Sequence, residues 1–297
     1  MVQKNILALL LVTLLFNNFI HSAEPIDSTL FEDESLIRGL ARELSEIRFN
    51  DRLLQTKNDQ LIEVFEKALN KRGSFNYSFD TIIPINQIQS EDGLVKIFTW
   101  NTLNALGKFN QYGFLQYYSK DKDKVFTYRL NDKSEMYEKP QNENLTPDNW
   151  FGAVYYEILE SKYQKSTLYT LIGWDGNDIT SNKKVIESLV FTESGKAKFG
   201  KPVFLFGRKK VKRVVFEYSR MANMMITYDE NLKMIVMDHL SPNNQIHQGN
   251  FKQYGPDFSY DALIYNNDYW EYIADIDFKR EPKKKPFLKT LFGRKSE

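Results

Sequence analysis

Cysteine is absent from the 297 residues of this chain. Its absence excludes disulfide bonds, thiolate metal sites, a cysteine nucleophile and a lipid-modified N-terminal cysteine. A chain without disulfides depends on its hydrophobic core for stability, and this one is long enough to bury a large core. In an exported protein, this composition is more typical of a bacterial periplasm or cell surface than of a small eukaryotic secreted module.

Histidine is almost as scarce, with residues only at positions 21, 239 and 247. The first lies in an N-terminal segment that we expect to be removed, and the two that remain cannot form a multi-histidine metal cage. The sequence also lacks the Gly-x-Ser-x-Gly motif that presents a catalytic serine in many hydrolases. After the N-terminal segment, no apolar run approaches the ~20 residues needed to cross a bilayer, so the mature chain is not expected to be an integral membrane protein.

The N-terminus has the parts of a secretory signal. A basic residue at Lys4 precedes an apolar run from Ile6 to Phe16, and Ser22-Ala23 offers a small-residue cleavage site. We therefore predict a signal peptide over residues 1–23 and an exported protein that is periplasmic or associated with the cell envelope. The alternative is an uncleaved N-terminal anchor, but the polar stretch that begins at Glu24-Pro25 favours cleavage.

Charges of the two signs nearly cancel, with 40 basic and 39 acidic residues, but the C-terminus is strongly basic. Residues 279–297 carry eight basic side chains against two acidic ones, interleaved with Phe287, Leu288, Leu291 and Phe292. This combination predicts peripheral contact with an anionic membrane surface. The alternative is a disordered, solubilising tail. The rest of the chain has no basic patch of the kind that binds nucleic acid.

The segment over residues 24–73 has apolar side chains at helical spacing. It predicts two helices, or one helix bent near Asn50-Asp51. Because amphipathic helices commonly bury their apolar face on their own domain, we expect this segment to pack on the main domain. A partner-binding arm is the alternative.

From about residue 94 the pattern changes to short runs rich in β-branched and aromatic residues, separated by turn residues. The connections are too short for repeated βαβ units. We therefore predict one mainly β domain over residues 74–278, an antiparallel meander folded as a sandwich or barrel. The 22 Phe, 17 Tyr and 4 Trp are expected to fill its interior. If several of them lined one face, they could instead stack on glycans.

A first candidate site is the acidic segment Gly173–Asp178. Its oxygen-bearing side chains Asp175, Asn177 and Asp178 could bind Ca²⁺, which prefers carboxylate and carbonyl ligands. The segment does not have the spacing of an EF-hand loop. The same residue types also favour a tight turn, because they tolerate positive φ. We favour the turn and expect no cofactor, with Ca²⁺ as the alternative.

A second candidate site combines a histidine with carboxylates and would be catalytic. Its members are Asp238, His239, Asp257 and Asp261. His239 could act as a general base, with Ser241 or Ser259 completing a triad, and two carboxylates ~5–10 Å apart could hydrolyse a glycan. Neighbouring side chains on a strand point to opposite faces, so Asp238 is not expected to orient His239. The alternative is that these residues hydrogen-bond their own loops.

Several short segments together resemble a family of uncharacterised exported proteins of Bacteroidetes-type bacteria. The segments are Lys96–Asn101, Tyr112–Gln116, Leu171–Asn177, Tyr228–Glu230, Asp238–Pro242 and Gly255–Asp261. The resemblance covers roughly residues 75–278 and implies export and a single β-rich domain. That family has no assigned activity, cofactor or catalytic residue, so the resemblance implies nothing more about function.

Our leading expectation is an exported, non-catalytic binding or structural protein of the periplasm or envelope, whose partner is an envelope ligand or another protein. The alternative is a hydrolase that acts on glycan or ester substrates through the carboxylates near residues 238–261. A compact, apolar-walled pocket that holds two of these groups at reacting distance would favour the enzyme, whereas a solid barrel with these residues scattered in turns would favour the binding or structural role.

Overall fold

The computed structural model describes residues 26–278. The predicted signal peptide, residues 1–23, and the basic tail, residues 279–297, lie outside the described residues. Within the described part the chain is mainly β, with two helices and three antiparallel-rich sheets, none of which closes into a barrel. The predicted fold class is confirmed, and the architecture agrees with a sandwich.

The helical segment forms two helices, α1 over Leu30–Glu46 and α2 over Asp51–Leu69. The side chain of Asn50 caps α2 by accepting a hydrogen bond from the backbone N–H of Leu53 at 3.0 Å. The apolar faces of both helices are buried together with the first sheet. The helices therefore form an outer layer of the domain. None of the helices in the described range is long and apolar enough to cross a membrane.

The first sheet has four antiparallel strands in the order of the chain. They are β1 over Asn86–Gln89, β2 over Val95–Leu103, β3 over Phe109–Ser119 and β4 over Lys124–Asn131. Phe98 and Phe114 are register partners on β2 and β3, and both rings lie against Phe65 of α2, with centroids 4.9 and 5.4 Å away. This aromatic cluster joins the helices to the sheet.

The second sheet has the strand order β11-β7-β6-β5, with β8 paired to β7. Its strands are β5 over Val154–Tyr163, β6 over Ser166–Asp175, β7 over Ser181–Phe191, β8 over Ala197–Phe199 and β11 over Arg213–Ser219.

The third sheet has the order β10-β9-β15-β14-β13-β12, in which β15 and β9 are parallel. Its strands are β9 over Phe204–Phe206, β10 over Lys209–Val211, β12 over Ile226–Asp229, β13 over Met234–Pro242, β14 over Tyr254–Asn266 and β15 over Tyr269–Ile273.

The second sheet lies between the other two. Leu171 on β6 packs with Leu115 of the first sheet, whereas its neighbour Ile172 packs with Leu263 of the third sheet. Because successive side chains point to opposite faces, a sheet covered on both faces buries every residue of its central strands. The core therefore has three layers, one between the helices and the first sheet, one between the first and second sheets, and one between the second and third sheets.

Candidate functional site

An open cleft of about 490 Å³ runs along β3 and the end of β4, where the first sheet meets the connection between β6 and β7. The lining has two parts on opposite faces of the first sheet. The polar wall, which includes Gln111, Asp132 and Asp175, faces the second sheet, and the aromatic wall, which includes Trp100 and Tyr112, faces the helices. A second cleft of about 320 Å³ lies between the helices and β2 and is mostly apolar. The first cleft is therefore the one that combines hydrogen-bonding groups with aromatic surface.

The polar wall is built around the buried carboxylate of Asp175. Its Oδ1 accepts hydrogen bonds from Gln111 Nε2 at 2.7 Å and from the backbone N–H of Asn177 at 2.8 Å. Lys183 Nζ donates to Asn177 Oδ1 at 2.7 Å. Burial raises the pKa of Asp175, although the hydrogen bond from Asn177 and the charge of Lys183 oppose this shift. These contacts fix the polar groups in place before any ligand arrives.

Gln111 is almost fully buried, and no described residue donates a hydrogen bond to its Oε1. The glycine at position 152 packs against it. A Cβ built on Gly152 would lie 2.5 Å from the Cβ of Gln111 and 2.5 Å from the Cγ of Asp132. The backbone N–H of Gly152 also donates to Asp132 Oδ1 at 3.1 Å and to Ser134 Oγ at 2.8 Å. Only a residue without a side chain lets these polar groups pack together at the end of the cleft.

The aromatic wall consists of two rings in a stacked arrangement. The rings of Trp100 and Tyr112 are 5.9 Å apart at an angle of 22°. Trp100 Nε1 donates to Asn58 Oδ1 at 2.9 Å, which holds the indole against α2. Burial raises the pKa of Tyr112. Because Trp100 is only 5% exposed, the half-buried Tyr112 is the ring of this pair that can offer apolar surface to a ligand.

The residues of the Ca²⁺ hypothesis separate in the structure. Asp175 and Asn177 line the cleft, whereas Asp178 Oδ1 accepts hydrogen bonds from Thr180 and Ser181. Burial acts to raise the pKa of Asp178, but the hydrogen bonds from Thr180 and Ser181 lower it to about 2. Residues 26–278 contain no group of three or more Asp, Glu and His side chains that could hold a metal ion. The turn interpretation accounts for these contacts, and Ca²⁺ binding stays a prediction.

The structure brings two of the candidate catalytic residues together. His239 Nδ1 lies 2.8 Å from Asp261 Oδ2, across an irregularity in the pairing of β13 and β14. Tyr272 Oη donates to the same Oδ2 at 2.7 Å, and the backbone N–H of Asp275 donates to Oδ1 at 3.1 Å. The hydrogen bond to Asp261 raises the pKa of His239, although partial burial opposes this shift.

The other two carboxylates hydrogen-bond other groups, although the charge of Asp257 also acts to raise the pKa of His239. Asp238 is buried, and its Oδ2 accepts the backbone N–H of Met225 at 2.7 Å. Asp257 Oδ1 accepts hydrogen bonds from the backbone and hydroxyl of Ser259 at 3.1 and 2.7 Å. Ser241 also hydrogen-bonds Asp257. Both serines of the hypothetical triad are therefore engaged with Asp257, and neither of the two clefts includes His239.

Sequence reasoning missed the polar residues of the large cleft other than Asp175 and Asn177. Gln111 and Asp132 lie in or directly after strands of the first sheet, and Gln111 meets Asp175 across 64 residues of sequence. The one available signal was Gln111 itself, a polar side chain at an inward position of the aromatic strand β3. This signal does not reveal that the partner is Asp175. Comparisons with known protein families, curated proteins and solved structures find no match to this chain.

Proposed function

We propose that this chain is an exported, non-catalytic binding protein of the cell envelope, and that the cleft beside Gln111 holds a small hydroxyl-rich ligand of the glycan class. One observation carries the proposal: the lining of an open cleft of about 490 Å³ combines hydrogen-bonded polar side chains with aromatic side chains. Sites for small ligands commonly combine apolar surface with a few well-placed polar groups.

The chemistry of the cleft lining favours a glycan over an ion or an apolar molecule. Acidic and basic side chains both line the cleft, including Asp132, Asp175, Lys108 and Lys183, so a ligand with one dominant charge would meet repulsion. Hydroxyl groups both donate and accept hydrogen bonds and can satisfy carboxylates, amides and ammonium groups alike. The half-buried ring of Tyr112 would add apolar contact with a sugar at the edge of the cleft.

The hydrogen bonds inside the cleft favour binding over catalysis. Asp175 is held by Gln111 and by a backbone N–H, and Asp132 by the backbone N–H groups of Ser134 and Gly152. Carboxylates engaged in this way keep loops in position. A pre-organised lining of this kind reduces the entropy lost when a ligand binds.

Two adjacent lysines on β7 provide a matched test. Lys183 lines the cleft, whereas Lys184 points to the other face and donates to Tyr156 Oη at 3.1 Å. We expect Lys183→Met to weaken binding of a cleft ligand by about 10- to 100-fold, the loss of one hydrogen bond from a charged donor. Lys184→Met should leave affinity unchanged. The assay is calorimetry or saturation-transfer NMR with a panel of mono- and disaccharides.

The outcome is decisive in both directions. Binding of a sugar that falls only in the Lys183→Met variant supports the proposal. If no sugar of the panel binds at millimolar concentration, or if both variants bind as the unchanged chain does, the cleft is not a glycan site.

A second candidate function is a hydrolase acting on ester or glycan substrates, favoured by the 2.8 Å contact between His239 and Asp261. An imidazole oriented by a buried carboxylate can act as a general base. In a screen of model esters and glycosides, His239→Gln and Asp261→Asn should both lose turnover. Asp238→Asn is the matched control, because that carboxylate contacts the backbone of Met225. An absence of turnover in the unchanged chain would remove this candidate.

A further inference from the structure

Six connections meet at one end of the molecule, which we call the loop end. They are residues 47–50, 104–108, 132–136, 176–180, 220–225 and 243–253. Contacts link the first of them in sequence: Asp51 Oδ1 accepts the backbone N–H of Ala105 at 2.7 Å, and the backbone N–H of Phe109 donates to the carbonyl of Asn177 at 3.0 Å. The connections therefore form one continuous surface across the helical layer and the sheets.

The remaining connections join the same surface. The backbone N–H of Arg220 donates to the carbonyl of Thr180 at 3.0 Å. Lys252 Nζ lies 3.4 Å from Asp178 Oδ2. An ion pair between the side chains of Lys108 and Glu135 brings in the connection after β4. Each loop is thus held by at least one neighbour.

Each connection of the loop end presents a bulky apolar side chain to solvent. These side chains are Phe49, Leu106, Met136, Ile179, Met221 and Ile246, and each is between 70% and 95% exposed. Exposed apolar residues are common singly, but one in each of six adjoining loops is a pattern. Removing six such side chains from water would be favourable for any partner that could cover them.

The opposite end of the molecule serves as an internal comparison. Its connections are residues 90–94, 120–123, 164–165, 192–196, 230–233 and 267–268. Two of them are in direct contact: the backbone N–H of Gln164 donates to Asp268 Oδ1 at 3.2 Å, which joins connections 164–165 and 267–268. Among the exposed large apolar side chains of the described residues, only Leu232 lies in these connections. The apolar tips are therefore a property of one end and not of turns in this protein generally.

Basic residues accompany most of the apolar tips. The pairs are Arg48 with Phe49, Lys108 with Leu106, Lys133 with Met136, and Arg220 with Met221. The six connections together contain five basic residues and three acidic ones, Asp132, Glu135 and Asp178. Single apolar side chains on separate loops with an excess of basic residues suit insertion among anionic lipid headgroups. A stable protein–protein interface instead needs a contiguous apolar core of complementary shape, which separate tips do not provide.

The course of the chain beyond β15 points to the same end. The backbone N–H of Ile276 donates to the carbonyl of Tyr260 at 2.8 Å, and the ring of Phe278 lies 5.3 Å from the ring of Tyr260. Ile273 at the end of β15 pairs with Ala262, whereas Ile276 contacts Tyr260, the central residue of β14, which is nearer to Tyr254 at the loop end. The described chain therefore ends while running towards the loop end, and the strongly basic residues 279–297 follow directly.

We propose that the loop end docks on an anionic lipid bilayer surface, with its six apolar tips inserted between headgroups and its basic side chains adding electrostatic attraction. The loop end adjoins the glycan cleft, because residues 132–136, Lys108 and Asn177 also line the cleft. The tips Leu106, Met221 and Ile246 do not line it, so substituting them tests docking separately from ligand binding. Docking adds a specific surface and orientation to the membrane contact expected from the tail alone.

The test is vesicle flotation of the full-length chain with phosphatidylcholine vesicles that contain or lack phosphatidylglycerol. The test variant is Leu106→Ser/Met221→Ser/Ile246→Ser. The matched control is Phe31→Ser/Leu36→Ser/Leu232→Ser, which removes three exposed apolar side chains outside the loop end. We expect the unchanged chain to bind the anionic vesicles and the test variant to bind them at least about tenfold more weakly. The control variant should bind within about twofold of the unchanged chain.

Three results would overturn the proposal. The first is an absence of binding by the unchanged chain. The second is binding that persists in the test variant and disappears at high salt, which assigns the contact to the basic tail alone. The third is self-association of the unchanged chain in sedimentation velocity that the test variant loses, without lipid binding, which assigns the loop end to a second copy of the chain.

Discussion

Breaking the buried ion pair between Glu187 and Arg213 should strongly destabilise the protein. The two residues are directly opposite each other on β7 and β11, and both side chains are fully buried. Arg213 Nε donates to Glu187 Oε2 at 2.7 Å, and Nη2 donates to Oε1 at 3.1 Å. Nη1 also donates to the carbonyls of Pro140 and Glu143, so the guanidinium fixes a loop as well as a strand.

The variant Arg213→Met leaves the carboxylate of Glu187 buried without its partner. Removing one member of such a pair costs about 3–5 kcal/mol, because the remaining charge is neither solvated nor compensated. For a domain of this size, that loss lowers the melting temperature by roughly 6–20 °C. The double variant Arg213→Met/Glu187→Leu removes both charges and should recover most of the loss, since apolar replacements of buried pairs are often close to neutral.

The dependence on pH provides a second readout. Burial raises the pKa of Glu187, and the charge of Arg213 opposes this shift. Without Arg213 the carboxyl is expected to bind its proton more readily in the folded state, and a carboxyl with a raised folded-state pKa stabilises the fold as the pH falls. The deficit of Arg213→Met should therefore shrink from pH 7 to pH 5 in urea unfolding. A loss below about 1 kcal/mol at pH 7, or a deficit that does not change with pH, would refute this reasoning.

Two further predictions concern the candidate sites. Asp261 raises the pKa of His239, so the stabilisation from this pair is fully present below the unfolded-state pKa and is lost as the pH rises through the folded-state pKa. In urea unfolding, His239→Gln should thus lower the free energy of unfolding more at pH 5 than at pH 8. The difference between the two losses should be less than about 1 kcal/mol, because the imidazole is partly exposed. Equal losses at both pH values would contradict this. Gly152→Ala should cost about 1–3 kcal/mol because its Cβ would overlap neighbouring atoms at the end of the cleft. Gly39→Ala, on α1 with open space around it, should gain about 0.5–1 kcal/mol, and equal effects of the two substitutions would contradict the packing argument.

The sequence predicted those features that depend on local periodicity. Helical spacing located both helices, and Asn50 caps the second near the predicted bend. The alternation of side chains along a strand correctly separated Asp238 from His239. The turn-forming residues around Asp178 also predicted a tight turn, in which the Asp178 carboxylate accepts the backbone N–H of Thr180.

The features that depend on the pairing of distant segments could not be predicted. His239 meets Asp261 because β13 and β14 pair in a register that changes between Asp238 and Leu240. The sequence allows several registers, and each would give His239 a different partner. Gln111 and Asp175 lie on different sheets, so their contact depends on how two layers pack, which no local pattern encodes.

The arrangement of the three sheets explains how a chain without disulfides can keep an open cleft. The second sheet is buried on both faces, so the packing of its central strands stabilises the layers on either side of it at once. The cleft lies beyond this region, at the end of the strands where the first sheet and the connection between β6 and β7 separate. There the polar side chains are hydrogen-bonded to one another and to the backbone, so leaving the cleft open to solvent leaves few buried groups unsatisfied. The apolar packing of the middle layer, rather than the cleft, therefore holds the three sheets together.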